Sequence, residues 1–118
     1  MDIFQLAQLQ AKHASTQKLY NEFLRVPTLS VGLYVLPAGA LDPQLPHSED
    51  EVYIVQSGQA TIQVAGEDQP VSAGSIIFVA AGVDHRFHSI TEDLSVLVFF
   101  APAEYSLAKD NTNSLDDL

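Results

Sequence analysis

Apolar residues recur in short blocks along most of the chain, and each block is closed by a glycine, a proline or a polar turn. No helical repeat separates the blocks, so the pattern favours an antiparallel all-β sandwich or barrel over a sheet with alternating helices. Closely spaced turns indicate an up-and-down or jelly-roll arrangement of hairpins. The blocks span residues 29–37, 51–58, 59–68, 74–82, 85–90 and 94–102.

Two stretches rich in glycine and polar residues predict turns between these strands. Gly58 lies in the stretch QSGQA, where a positive φ carries little steric cost, and this predicts a tight turn. The stretch AGEDQPVSAG, from Ala65 to Gly74, closes a second hairpin. We therefore expect residues 51–58 and 59–68 to form two separate strands.

The first residues of the chain depart from the strand pattern. Ile3, Leu6 and Ala7 share one face at helical spacing, and Asp2 is a suitable N-cap residue. This pattern predicts a short helix over residues 3–12.

The chain accordingly divides into three parts. We expect a helix and lead-in at residues 1–28, a barrel at 29–103 and an acidic C-terminal tail at 104–118. The tail is polar and has no periodic apolar face, so we expect it to fray from about residue 106 onward.

Composition and charge exclude several classes of protein. A chain of 118 residues has room for one domain. Its 15 acidic and 5 basic residues give a formal charge of −10, so neither nucleic acid nor a membrane is an expected partner. The chain contains no cysteine, and any metal site must therefore use histidine and carboxylate. The N-terminus lacks the features of a signal peptide, and we expect a cytoplasmic protein.

One stretch, LPHSEDEVYIVQSG, places a histidine and three carboxylates directly before an apolar strand. Alternation puts Glu51 and Tyr53 on one face of that strand, and His85 and Phe87 on one face of a later strand. The two strands can be neighbours or face each other in a small barrel, so His47, Glu51 and His85 can meet. A carboxylate that points into a barrel is costly unless donors or a cation satisfy it, and a divalent metal would do so.

Two stretches of the sequence resemble the two motifs of the cupin family. In the first motif, GxxxxxHxHxxxExxxxxxG, His47 and Glu51 stand at the family's spacing before Gly58. In the second, GxxxxxPxGxxHxxxN, the stretch GSIIFVAAGVDHRFHS retains both glycines and His85. The resemblance covers residues 30–101, and it implies an antiparallel cupin β-barrel (jelly roll) that follows the short N-terminal helix.

Three positions depart from these motifs. Leu45 stands in place of the first histidine, Ala80 in place of the proline and Ser89 in place of the asparagine. Because the fold hosts unrelated chemistries, the resemblance is more informative about fold than about function.

Carried over residue by residue, the resemblance implies a divalent metal ion held by His47, Glu51 and His85. Two imidazoles and one carboxylate resemble the facial triad of non-haem iron oxygenases. This set suits Fe, Mn, Ni, Co or Zn and leaves positions open for water or substrate. Loss of the family's fourth ligand at Leu45 should weaken affinity or open one further coordination position.

Several neighbouring residues have two interpretations each. Tyr53 and Phe87 either line a substrate pocket in the lumen or fill the core. Arg86 either orients an anionic substrate or pairs with a carboxylate at the surface. Leu45, at the vacant ligand position, is expected beside the same pocket.

The remaining charged and histidine residues are expected outside the ligand set. Glu49 and Asp50 are predicted to be rim charges, with Glu49 as a substitute ligand if the strand register shifts. His88 lies on the opposite face from His85 and is a ligand only if a β-bulge re-aims it. His13 is expected on the surface of the helix.

Three functions remain open from the sequence. The first is a metal-dependent, dioxygenase-like enzyme acting on a small molecule, and the second is a non-catalytic ligand-binding or sensor barrel, favoured by Leu45, Ala80 and Ser89. The third is a metal-free structural barrel. Segments such as 29–36 carry apolar residues at consecutive positions and need cover on both faces, so we expect a homodimer.

Overall fold

The computed structural model describes residues 1–107, and residues 108–118, most of the predicted tail, lie outside this range. One helix precedes six strands, and every strand pair is antiparallel, as the sequence pattern predicts. The elements are α1 (Leu6–Ala14), β1 (Tyr20–Val26), β2 (Leu29–Leu36), β3 (Asp50–Val64), β4 (Glu67–Ser72), β5 (Ile76–Val79) and β6 (His85–Ala101).

The two long strands β3 and β6 form the centre of the barrel. Their ladder runs from the Asp50–Ala101 pair at one end to the Val64–His85 pair at the other. β2 lies beside β6 and β1 beside β2, while β5 and β4 pair with the first and second halves of β3. The two halves of β3 therefore contribute to different parts of the barrel wall.

The predicted tight turn at Gly58 is wrong, because Gly58 lies inside β3. The pairing with β6 shifts register between Val55 and Thr61, and Gly58 has φ 97°, so the strand bends without reversing. A Cβ atom at Gly58 would lie 2.2 Å from the carbonyl oxygen of Asp93, which leaves no room for a side chain. The second predicted hairpin is present, with Ala65 and Gly66 between β3 and β4.

β6 runs through two predicted blocks, 85–90 and 94–102, and changes face at Ser89. Simple alternation would place Ser89 on the inward face with Phe87, but Ser89 is exposed and Ile90 is buried. Ser89 has φ 51°, a left-handed conformation that interrupts the alternation.

The N-terminal helix begins and ends slightly later than predicted. Phe4, which precedes the helix, packs against Phe23 of β1 with ring centroids 5.0 Å apart. This contact holds the segment before the helix against the sheet. Gln5 rather than Asp2 occupies the N-cap position, and it makes no side-chain cap bond. His13 lies on the helix, where it is half-buried and its Nε2 lies 2.8 Å from the carbonyl oxygen of Leu19. Within residues 1–107, no helix has the length and apolar character needed to cross a membrane.

The loop between β2 and β3 is fastened to the barrel by buried polar contacts. Asp42 accepts hydrogen bonds from the Tyr34 hydroxyl at 2.5 Å and from the backbone N–H of Phe87 at 2.9 Å. The Gln44 side chain donates to Asp42 at 2.6 Å and accepts from the Tyr53 hydroxyl at 2.8 Å. A buried tyrosine hydroxyl requires such a partner, so these bonds fix the loop that carries His47.

Candidate metal centre

The structure brings His47, Glu51 and His85 together in the barrel lumen. One donor atom of each residue lies within 4.8 Å of the other two. Oε1 of Glu51 is 2.6 Å from Nε2 of His85 and 3.7 Å from Nδ1 of His47. All three residues are buried. The loop before β3 supplies His47, the start of β3 supplies Glu51, and β6 begins at His85.

Both imidazole rings are oriented through their outer nitrogen atoms. His85 donates from Nδ1 to the carbonyl oxygen of Val83 at 2.8 Å, and His47 donates from Nε2 to a carboxylate oxygen of Glu104 at 2.9 Å. Carbonyl and carboxylate oxygens only accept, so each neutral ring carries its hydrogen on the outer nitrogen. The lone pairs of His47 Nδ1 and His85 Nε2 are then available on the side of Glu51, as metal-binding histidines require.

Several polar atoms at this centre are buried without an aligned hydrogen-bond partner. Among residues 1–107, they include Nδ1 of His47 and both carboxylate oxygens of Glu51. A buried carboxylate without compensation carries a large desolvation penalty. A divalent cation between these atoms would compensate all of them at once, so the residues present fit a metal ion.

The protonation of His85 is coupled to Glu51. Burial of the ring lowers the pKa of His85, but the nearby carboxylate of Glu51 outweighs it, so that the pKa of His85 is raised overall. Nε2 of the protonated His85 ring would have to lose its proton before it could act as a ligand of a metal ion.

Glu49 is buried, and its predicted place as a rim charge is wrong. Its carboxylate accepts hydrogen bonds from the backbone N–H groups of Tyr105 at 2.7 Å and Leu107 at 3.0 Å, and from the hydroxyl of Ser48. These donors replace the water that a rim position would supply. Asp50 is exposed, and it accepts from the backbone N–H of Ala81 at 2.8 Å.

Glu104 is the residue of this centre that the sequence reasoning missed. It falls in the predicted acidic tail, yet it is fully buried, and its carboxylate contacts His47. No local pattern marks it, because its partner lies 57 residues earlier in the chain. The one available signal is its position two residues after the last apolar block.

A cavity of about 370 Å³ opens beside His85, and Arg86 is part of its wall. Leu45 is 52% exposed on the loop and is not in this lining, so its place beside a substrate stays a prediction. Tyr53 and Phe87 are core residues whose rings meet edge-to-face with centroids 5.0 Å apart. The cavity is lined by Gln44, Gln63, Gly66, Asp84, His85 and Arg86.

His88 lies outside the group that could hold a metal. Its Nε2 is 2.9 Å from Oδ1 of Asp68, and both side chains are partly exposed. This placement agrees with the opposite-face expectation from alternation. The contact lowers the pKa of the Asp68 carboxyl.

The fold and the donor set together define a small antiparallel β-barrel protein with a His–Glu–His centre in its lumen. The chain belongs to the cupin family, since the family model described as a cupin domain matches residues 32–100.

An uncharacterised protein of Streptomyces coelicolor is 51% identical over 104 residues, which are 88% of this chain and 99% of the relative. Among solved structures, a Thermus thermophilus protein superposes with a TM-score of 0.72 at 23% identity, over 87% of this chain and 99% of the other. The DMSP lyase DddQ from Ruegeria pomeroyi superposes with a TM-score of 0.61 at 22% identity. That match covers 64% of this chain and 39% of the lyase, so it bears on fold alone.

Proposed function

We propose that this chain is a mononuclear metal-binding cupin that uses a divalent first-row ion to act on a small molecule. The observation that carries the proposal is the pair of outer hydrogen bonds, from His47 to Glu104 and from His85 to the carbonyl of Val83. They direct Nδ1 of His47 and Nε2 of His85 toward Glu51, which is the arrangement that ligands of a metal ion need.

The ligands would be Nδ1 of His47, a carboxylate oxygen of Glu51 and Nε2 of His85. Two nitrogen donors and one oxygen donor suit Fe, Mn, Ni, Co or Zn, and three protein ligands leave coordination positions open. When bound, the ion would serve as a Lewis acid and template for a chelating small molecule. The dioxygenase-like form of the proposal adds O₂ as the second reactant.

Tyr53 and Gln44 link the ligands to the cavity. The Tyr53 hydroxyl lies 3.0 Å from Nε2 of His85 and donates to Gln44, which lines the cavity. Burial of the ring, together with the charges of Glu51 and Asp42, raises the pKa of Tyr53 far above its usual range. Tyr53 therefore holds its proton and acts as a neutral hydrogen-bonding group beside the ligands.

Arg86 supports an anionic small molecule as the ligand of the cavity. It is the one Lys or Arg in the lining of the cavity beside His85, in a chain whose net charge is −10. Its guanidinium group can bind a carboxylate through two parallel hydrogen bonds. Arg86→Ala should then weaken binding of carboxylate ligands without changing metal content.

A non-catalytic ligand-binding or sensor barrel is the second candidate. Leu45 favours it, because an apolar, half-exposed side chain replaces one histidine of the motif. Both candidates use the same metal site, and turnover separates them: a screen that finds ligand binding without product would select the sensor. The metal-free barrel ranks third, since among residues 1–107 it leaves Nδ1 of His47 and Oε2 of Glu51 buried without a partner.

The homodimer and the cytoplasmic location stay predictions. An apolar groove on the outer surface, bordered by Val52, Ile54, Phe78 and Phe99, supports the homodimer, since Phe78 is 61% exposed. A second copy of the chain that packs the same face against this groove would cover the groove of each copy. Sedimentation equilibrium of the wild type and of Phe78→Lys tests this, and a monomeric wild type would refute it.

Calorimetric titration with Mn²⁺, Fe²⁺, Ni²⁺, Co²⁺ and Zn²⁺ tests the proposed metal site. Glu51→Gln should lose most of the affinity, because it removes the only charged ligand. Asp50→Asn is the matched control, since it removes one exposed carboxylate from the adjacent position and should bind as the wild type does. Equal affinities of the two variants would refute the assignment of Glu51.

A further inference from the structure

We propose that Glu104 is a positioning residue, which holds His47 in the tautomer and orientation that a metal ligand needs. This inference rests on the proposed metal-binding function and concerns a residue outside the ligand set. We call residues 102–107, the segment that follows β6 and carries Glu104, the C-terminal clasp.

The contact between Glu104 and His47 is direct and buried. Oε2 of Glu104 lies 2.9 Å from Nε2 of His47, and both side chains are 1% exposed. The His47 ring also packs against Phe100, with centroids 4.6 Å apart. The hydrogen bond fixes which nitrogen carries the hydrogen, and the ring contact restricts rotation. Together they keep Nδ1 on the side of Glu51.

The backbone of Glu104 is held independently of its side chain. The N–H of Glu104 donates to the hydroxyl of Ser30 at 2.9 Å, and its carbonyl accepts from the Arg25 guanidinium at 2.7 Å. The N–H of Ala103 donates to the carbonyl of Pro27 at 3.3 Å. These contacts come from β1, β2 and the turn between them, so a change of the Glu104 side chain leaves the clasp attached.

Glu49 fastens the clasp beyond Glu104. Its carboxylate binds the backbone N–H groups of Tyr105 and Leu107, and Glu49 itself lies between the ligands His47 and Glu51 in sequence. The loop before β3 and the clasp are therefore joined at two points, through the His47–Glu104 contact and through Glu49. Each of these contacts uses a buried carboxylate that the three-ligand site does not itself require.

Without the Glu104 carboxylate, the hydrogen of the neutral His47 ring would no longer be held on Nε2. The hydrogen could then move to Nδ1, which faces Glu51, and the ring would have to lose it there before binding a cation. Removal of such outer partners of ligand histidines lowers metal affinity by about 10- to 100-fold. Glu104→Gln retains a carbonyl oxygen that can accept from Nε2, so it should stay within about 3-fold of the wild type.

The first test reads the tautomer in the metal-free protein. Long-range ¹⁵N–¹H correlation spectra of the imidazoles, recorded where His47 is neutral, report which ring nitrogen carries the hydrogen. We expect the hydrogen on Nε2 in the wild type and in Glu104→Gln, and a mixture of tautomers in Glu104→Ala. Glu67→Ala, which removes an exposed carboxylate, is the matched control. A wild-type ring with its hydrogen on Nδ1 overturns the proposal without need of any variant.

The second test compares metal affinities of the same four proteins by calorimetric titration with Zn²⁺ and Mn²⁺. We expect a loss of about 10- to 100-fold in Glu104→Ala alone. Wild-type affinity in Glu104→Ala, with metal bound by the wild type, overturns the positioning role and leaves the metal site standing. If the wild type binds no metal while the tautomer shifts as expected, the metal site fails and the control of His47 by Glu104 stands.

Discussion

Oε1 of Glu51 lies 2.6 Å from Nε2 of His85, although the two residues belong to opposite ends of the β3–β6 ladder. Glu51 pairs with Phe100 near one end, and His85 pairs with Val64 at the other. The two side chains meet because the bent strands close into a barrel. Any change that opens the barrel therefore separates these two groups as well.

The metal-free protein should lose stability as the pH rises through the raised pKa of His85. Glu51 raises the folded-state pKa of His85 above its usual 6.5, so the folded chain keeps a proton on His85 up to a higher pH than the unfolded chain does. The stabilisation is complete below the unfolded-state pKa and disappears as the pH passes the folded-state pKa. Urea denaturation of protein treated with a chelator, repeated across this pH range, measures the change in unfolding free energy.

Glu51→Gln provides the control for this pH dependence. It removes the carboxylate that raises the pKa of His85, so the decline in unfolding free energy over that range should become shallower. The same decline in the wild type and in the variant would show that His85 and Glu51 are not the source.

Gly32→Ala should strongly destabilise the fold. A Cβ atom at Gly32 would lie 2.1 Å from Cζ of Tyr20, whose side chain is fully buried. Overpacking of this kind costs about 1 to 3 kcal/mol. Urea denaturation measures the loss, and a double-mutant cycle with Tyr20→Ala should show that the penalty decreases when the ring is absent. An unchanged penalty in that background would exclude the ring contact as its cause.

Ser89→Gly should stabilise the protein. The left-handed conformation of Ser89 costs about 1 to 2 kcal/mol for a residue with a Cβ atom, and the extra chain entropy of glycine offsets about 0.5 to 1 kcal/mol of the gain. The net effect is a gain of up to about 1.5 kcal/mol in unfolding free energy. Ser57→Gly, at a position of β3 without positive φ, should instead lose stability. A loss in both variants would contradict the assigned strain.

Tyr53→Phe should reduce stability and leave metal binding nearly unchanged. The variant removes the donor to Oε1 of Gln44 and leaves that buried oxygen unsatisfied, which costs about 1 to 3 kcal/mol. Tyr53 is not one of the three proposed ligands, so the metal affinity should remain within about 3-fold of the wild type, far less than the loss expected for a ligand. Thermal denaturation and metal titration measure the two effects. Loss of metal binding with an intact fold would make Tyr53 part of the metal site.

The sequence predicted the fold class and the three donors because both depend on short-range patterns. Alternation and block length indicate strands, and the motif spacing relates His47, Glu51 and His85. It failed at Gly58, because a glycine with positive φ fits a turn and a bent strand equally well, and only pairing with β6 decides between them. Glu104 was missed for the same reason: its role depends on a contact across the barrel, and the residues around it look like a polar tail.

The metal content of the purified, untagged protein tests the central claim most directly. Elemental analysis should compare the wild type with His47→Ala, His85→Ala and His88→Ala, where His88 is a histidine of β6 that lies outside the donor group. The account predicts one first-row metal ion per chain in the wild type and in His88→Ala, and little or none in the other two variants. A wild type that holds no metal after reconstitution, or equal metal in all four proteins, would contradict it.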